Sequence, residues 1–197
     1  MATIGLDKMY YAKITEGEGG VETYGTPTKM GGAMKADLTV ELAEAVLYSD
    51  DSASQSVKAF KEGKLSIGVD DIGVDVAKEL TGATVDNNGV LVSASENMGN
   101  YVAVGFRAMK PNGKYRYFWL YKVKFGFPAV NLETKGDSIT FQTPTIEGTV
   151  LRRNKEDVTG NHPWKVEVTD GESGVDETTV EDWFDAVYEP DFEVAGG

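Results

Sequence analysis

The sequence predicts a mainly β fold, a sandwich or barrel with a short flanking α-helix, a long β-hairpin arm and a C-terminal helix. Three observations predict it. Apolar and polar residues alternate at period two over several segments, which places them on opposite faces of strands. Twenty-three glycines and six prolines are scattered between these segments as turn punctuation. Two stretches are read as helices, and a third, residues 41–47, would suit a helix alone but is short and flanked by alternation, so it is read as strand.

In chain order, residues 9–14 read as a strand, and Gly17, Gly19, Gly20 and Gly25 mark a loop or hairpin after it. From Met34 the alternation is long: Met34, Ala36, Leu38, Val40, Leu42, Val46 and Tyr48 fall on one side, with Lys35, Asp37, Thr39 and Glu41 on the other. A polar turn at residues 49–54 and a return through Val57, Ala59, Leu65, Ile67 and Val69 complete a hairpin over residues 34–70. Arms of about 15 residues at roughly 3.3 Å each reach about 50 Å, more than one small domain needs. Val46, Leu47, Tyr48, Asp50, Asp51 and Val57 near its tip are therefore candidates for contact with another subunit. Phe60, out of phase with its neighbours, predicts a bulge where the hairpin leaves the sheet.

A short helix is expected over residues 74–80, closed by Thr81-Gly82. Strands follow at 90–94 and 101–109, and the turn Lys110-Pro111-Asn112-Gly113 leads into the aromatic strand 114–125. There Tyr115, Tyr117, Trp119, Tyr121, Val123 and Phe125 alternate as one face, read as the inside of a sandwich. Strands at 138–142, 145–152 and 164–169 come next. A helix over residues 176–189 starts from a Thr178/Glu181 capping box and sets Val180, Trp183, Phe184 and Val187 on one face. Leu38, Val40, Phe106, Trp119, Phe141, Trp183 and Phe184 are the expected core and packing residues of one domain over residues 1–190, with 191–197 a flexible tail.

Composition narrows the function classes. The chain has no cysteine and one histidine, so thiolate sites are impossible and a transition-metal centre is not expected. No nucleophile elbow, Walker loop or dinucleotide fingerprint occurs, and neither Asp50-Asp51 nor Asp70-Asp71 has the spacing of a cation loop. The expectation is no enzyme, no catalytic residue, no cofactor and no metal. Formal net charge is −13, concentrated in residues 156–197, where thirteen acidic side chains face Lys165 alone; residues 1–155 are close to neutral. Such a balance does not grip nucleic-acid phosphates. No apolar run is long enough to cross a bilayer as a helix, so no membrane partner is expected. A second reading, a non-catalytic β-sandwich module binding carbohydrate, would use Tyr115, Tyr117 and Trp119 as its platform.

Several segments together resemble a known family. These are Ile4-Gly5-Leu6-Asp7 with Tyr10-Tyr11-Ala12, Glu44-Ala45-Val46-Leu47-Tyr48 before an acidic turn, Gly113–Phe125, Gly136–Arg153 and Trp183–Pro190. They resemble the major tail proteins of siphophages infecting Gram-positive bacteria, over nearly the whole chain. The resemblance implies a tail-tube-type β-sandwich or barrel, homohexameric rings, and stacking of rings into a virion tube that passes double-stranded DNA without binding it specifically. It also implies assembly in the host cytoplasm with tape measure, tail terminator and distal tail proteins as partners.

Overall fold

The computed structural model describes residues 3–49, 52–130, 134 and 143–192, with residues 18, 46–49 and 52–55 described by backbone alone. The first strands are β1 (Gly5–Glu16), β2 (Glu22–Tyr24), β3 (Thr28–Gly31), β4 (Ala33–Ser49) and β5 (Ser52–Val69). Helix α1 (Val74–Thr81) follows, then β6 (Thr84–Val85), β7 (Leu91–Val92), β8 (Tyr101–Met109), β9 (Tyr115–Phe125), β10 (Thr145–Leu151) and β11 (Lys165–Thr169). Helix α2 (Glu177–Glu181) is the last. The fold is mainly β, as the periodicity predicts. Phe141, the strand expected at 138–142, and Asp50 and Asp51 lie outside the described residues.

Nine strands form one antiparallel sheet in the order β2-β1-β8-β9-β10-β5-β4, with β11 also on β9 and β3 also on β1. Strand β3 runs into β4 through Gly32 alone, yet β3 pairs with β1 and β4 with β5. One bent strand thus joins the two sides, and the sheet closes into a barrel. The corner needs close backbone approach. The Gly32 N–H donates to the Asp70 carboxylate at 2.6 Å, the Asp70 N–H donates back to the Gly32 carbonyl at 3.0 Å, and a Cβ on Gly31 would stand 2.7 Å from the Asp71 carbonyl oxygen.

The interior is filled by Met30, Leu65, Val104, Phe106, Leu120, Ile146 and their buried neighbours, with Leu38 packed at the margin. A second apolar cluster lies on the outside of β9. There Tyr117, Trp119 and Tyr121 are covered by Val180, Trp183 and Val187, and Phe184 stacks on Tyr10 with ring centroids 4.9 Å apart. Trp119 donates its indole N–H to the Trp183 carbonyl at 2.9 Å, and Tyr121 its hydroxyl to the Tyr188 carbonyl at 2.8 Å.

This corrects the reading of the aromatic strand as one inner face. Val102 pairs with Val123 but Val104 with Leu120, so Tyr121 and Lys122 together oppose Ala103. One extra residue reverses the alternation. Tyr117, Trp119 and Tyr121 therefore face the outer cluster, while Val123 and Phe125 face the barrel interior.

Three further expectations change. The C-terminal helix is five residues, not the span 176–189, and its N-cap is Asp176, whose carboxylate accepts from the Thr178 N–H at 3.0 Å. Valine, tryptophan and phenylalanine are mediocre helix formers, and the Trp183 carbonyl is taken by Trp119, so tertiary bonds replace the continuing helix. The apolar face at 180, 183, 184 and 187 still packs as its spacing predicts. The strand at 90–94 contracts to Leu91–Val92 on β6. Val40, expected in the core, is 40% exposed. It pairs with Gly63, the last β5 residue that also pairs with β10, so it sits at the rim of the barrel wall.

Candidate functional site

Strand β5 changes neighbours along its length. Residues 63–68 lie between β4 and β10, whereas residues 52–62, among the described residues, pair only with β4. From Glu41 to Ser49 the hairpin is consequently a two-stranded ribbon beyond the barrel, with its tip at the Ser49/Ser52 pair. Nine residues at roughly 3.3 Å each carry it about 30 Å out.

Directly opposed residues of an antiparallel pair share a face. Ala43 with Ala59 and Ala45 with Val57 make one face of the ribbon; Leu42 with Phe60 and Glu44 with Lys58 make the other. Leu42 and Val57 are 55% and 63% exposed, and Ala43, Ala45 and Ala59 are exposed too. The ribbon is laced by Lys58–Glu44 at 3.4 Å, the Ser56 hydroxyl donating to Glu44 at 3.3 Å, and Glu41 bridging Lys64 at 2.8 Å and Lys61 at 3.5 Å. The Lys64 hydrogen bond and charge hold the Glu41 carboxyl below its usual range. Exposed ion pairs of this kind contribute little, and a lone two-stranded hairpin is marginal in water. The arm therefore combines apolar side chains in solvent with an outer β4 edge that, among the described residues, pairs only with β5. Sheet edges and apolar surface of this type are what association covers.

Of the contact residues expected from the sequence, Val46, Leu47 and Tyr48 lie on the ribbon, opposite Ser56, Gln55 and Ala53, and Val57 lies exposed on it. Leu42 on one face of the ribbon and Ala43, Ala45 and Ala59 on the other are exposed as well, and they are not among the contact residues that the sequence singles out. Alternation assigns a residue to a face and does not say whether another wall covers that face. The bulge expected at Phe60 occurs one residue later: Glu41 pairs with Glu62 and Leu42 with Phe60, leaving Lys61 unopposed.

The other candidates are engaged within the fold. Tyr117 and Trp119 are buried, and Tyr115 is capped by the Arg107 guanidinium 3.9 Å from its ring centre, so the aromatic strand offers no open sugar platform. Close together in sequence, Arg153 and Lys155 both bind Glu189, at 2.6 and 3.0 Å. His162 stands half-buried with Nε2 3.7 Å from Glu156. No protein-family model matches the chain, and no curated protein matches it either.

Proposed function

We propose that this chain is a non-enzymatic structural subunit that assembles with copies of itself into rings, six to a ring on the resemblance, whose stacking forms the tail tube of a long-tailed bacteriophage. The observation that carries this reading is the β4–β5 arm: a ribbon projecting from a closed barrel with Leu42, Ala43, Ala45, Val57 and Ala59 in solvent. Covering a Leu or Val side chain completely is worth about 1.5–3 kcal/mol. A second copy that covers the arm gains that at each contact, and a contact between two different surfaces propagates into closed rings or open filaments. A nearly neutral body with an acidic C-terminal region suits a conduit that DNA must pass without adhering.

The test is size-exclusion chromatography and negative-stain microscopy of the purified chain at high concentration, beside a variant in which residues 45–57 are replaced by Asn-Gly joining Glu44 to Lys58. Rings or tubes are expected from the parent, and a folded, unassembled barrel from the variant. A parent that stays monomeric, or normal tubes from the variant, overturns the proposal.

A further inference from the structure

Among the described residues, a contact of specific geometry ties the arm to the barrel. Beyond Gly63 β5 has lost β10, and the neighbouring position on β9 is taken by β11, whose first pair is Lys165 with Leu120. Trp164, immediately before β11, packs against the barrel core, and its carbonyl accepts the Tyr121 N–H at 3.0 Å. The Phe60 ring lies flat on it, with centroids 4.4 Å apart and planes 6° from parallel. The adjacent Lys61 bulge is the point at which a strand bends and its twist increases. Past this stack, Ser56, Val57, Lys58 and Ala59 on one strand and Ala43, Glu44 and Ala45 on the other are all exposed, and the ion pairs of Glu41 and Glu44 stay within the hairpin.

A bulge bends its strand and locally disrupts the ladder, and a ring stacked on the core beside it ties that bend to one direction. We propose that Phe60 and Trp164 form a directional clamp that fixes the angle at which the arm leaves the barrel, making them positioning residues for docking of the arm on a second copy. The docking half rests on the proposed self-assembly; the clamp itself does not. Holding the arm in one direction removes orientational freedom before association, so the clamp acts by pre-organisation, without contributing contact area at the docking surface.

The cysteine-free sequence permits a direct test. Spin labels are placed through Ala45→Cys on the arm and Glu147→Cys on β10, both exposed, and the distance distribution is measured by pulsed EPR at a dilution where the protein is unassembled. The parent should give one narrow distribution. Phe60→Ala should broaden it about twofold, because an unclamped hinge samples a range of backbone angles, while Phe60→Tyr, which keeps the stack, should restore it. In the unlabelled protein, Phe60→Ala should keep the barrel's circular dichroism and lose tubes or give irregular ring spacing. An equally narrow distribution in Phe60→Ala overturns the clamp whether or not tubes form. A broadened distribution with tubes of normal spacing overturns its role in docking. Should the parent form no tubes, the self-assembly reading fails and the docking role with it, while the EPR comparison still decides the clamp.

Discussion

Glu22 is the side chain whose loss should reveal how the barrel is tied to its flanking loops. It is fully buried, its carboxylate meets the Lys122 ammonium, and it accepts the N–H groups of Asn154 at 2.7 Å and Lys155 at 3.3 Å. Burial by itself lowers the Lys122 ammonium pKa, but the hydrogen bonds and charges of Glu22 and Glu16 outweigh it, and the net direction is upward. Glu22→Leu removes the acceptor and strands a nearly buried ammonium, a change that costs 3–5 kcal/mol as an order of magnitude. Glu16 remains 3.4 Å from the ammonium with half of its side chain in water, and the Tyr101 ring centre lies 4.5 Å away. These partners place the expected loss near the lower end, about 3 kcal/mol, or roughly 6–12 °C in melting temperature for a chain of this size. Urea unfolding followed by tryptophan fluorescence measures it. Glu22→Leu combined with Lys122→Leu should recover part of the loss, because the stranded charge is then gone and only two backbone donors stay unsatisfied. A single variant within about 1 kcal/mol of the parent, or a double variant no more stable than the single, would refute the reasoning.

Two more outcomes follow from close contacts. A Cβ on Gly105 would stand 2.7 Å from ring atoms of the buried Trp119, so Gly105→Ala should destabilise by about 1–3 kcal/mol; urea unfolding monitored by circular dichroism checks it, and an unchanged midpoint counts against the tight fit. At the barrel corner, the Gly32 N–H and then the Asp71 N–H hold the Asp70 carboxyl below its usual range. A lowered folded-state pKa contributes stability that is present above the unfolded-chain pKa and is lost as pH falls through the folded one. Melting temperature should thus fall less steeply with acid in Asp70→Asn than in the parent, and parallel acid limbs would exclude the corner bond as a contributor.

The sequence made the local elements legible because their signals are local. Tyr101–Met109 is a strand with the boundaries expected of it, and the hairpin expected over 34–70 spans Ala33–Val69. The helix beginning at Val74 ends, as Gly82 predicts, in a left-handed residue at φ 70°. Each follows from backbone sterics and side-chain periodicity acting over a few residues. Glu22 illustrates the opposite case: in Gly20-Val21-Glu22-Thr23 it reads as an ordinary loop carboxylate, and its partners Lys122 and Asn154 are 100 and 132 residues away.

By itself, then, the sequence determined the β class, the long hairpin, the α1 cap and the apolar spacing of the C-terminal segment, since these depend on which residues a short stretch of backbone can accommodate. Tertiary structure decided what covers each face. The Gly32 corner closes the sheet, the bulge at Tyr121-Lys122 moves Trp119 outside the barrel and Val123 inside it, and the Trp183 carbonyl satisfies Trp119 in place of a longer helix. The arm is exposed for the same reason. Period two gives Val40 and Leu42 the same orientation as Leu38, but Leu38 pairs well within the stretch of β5 that β10 flanks, Val40 at its last pair and Leu42 beyond it, so burial there is set by where a distant strand ends.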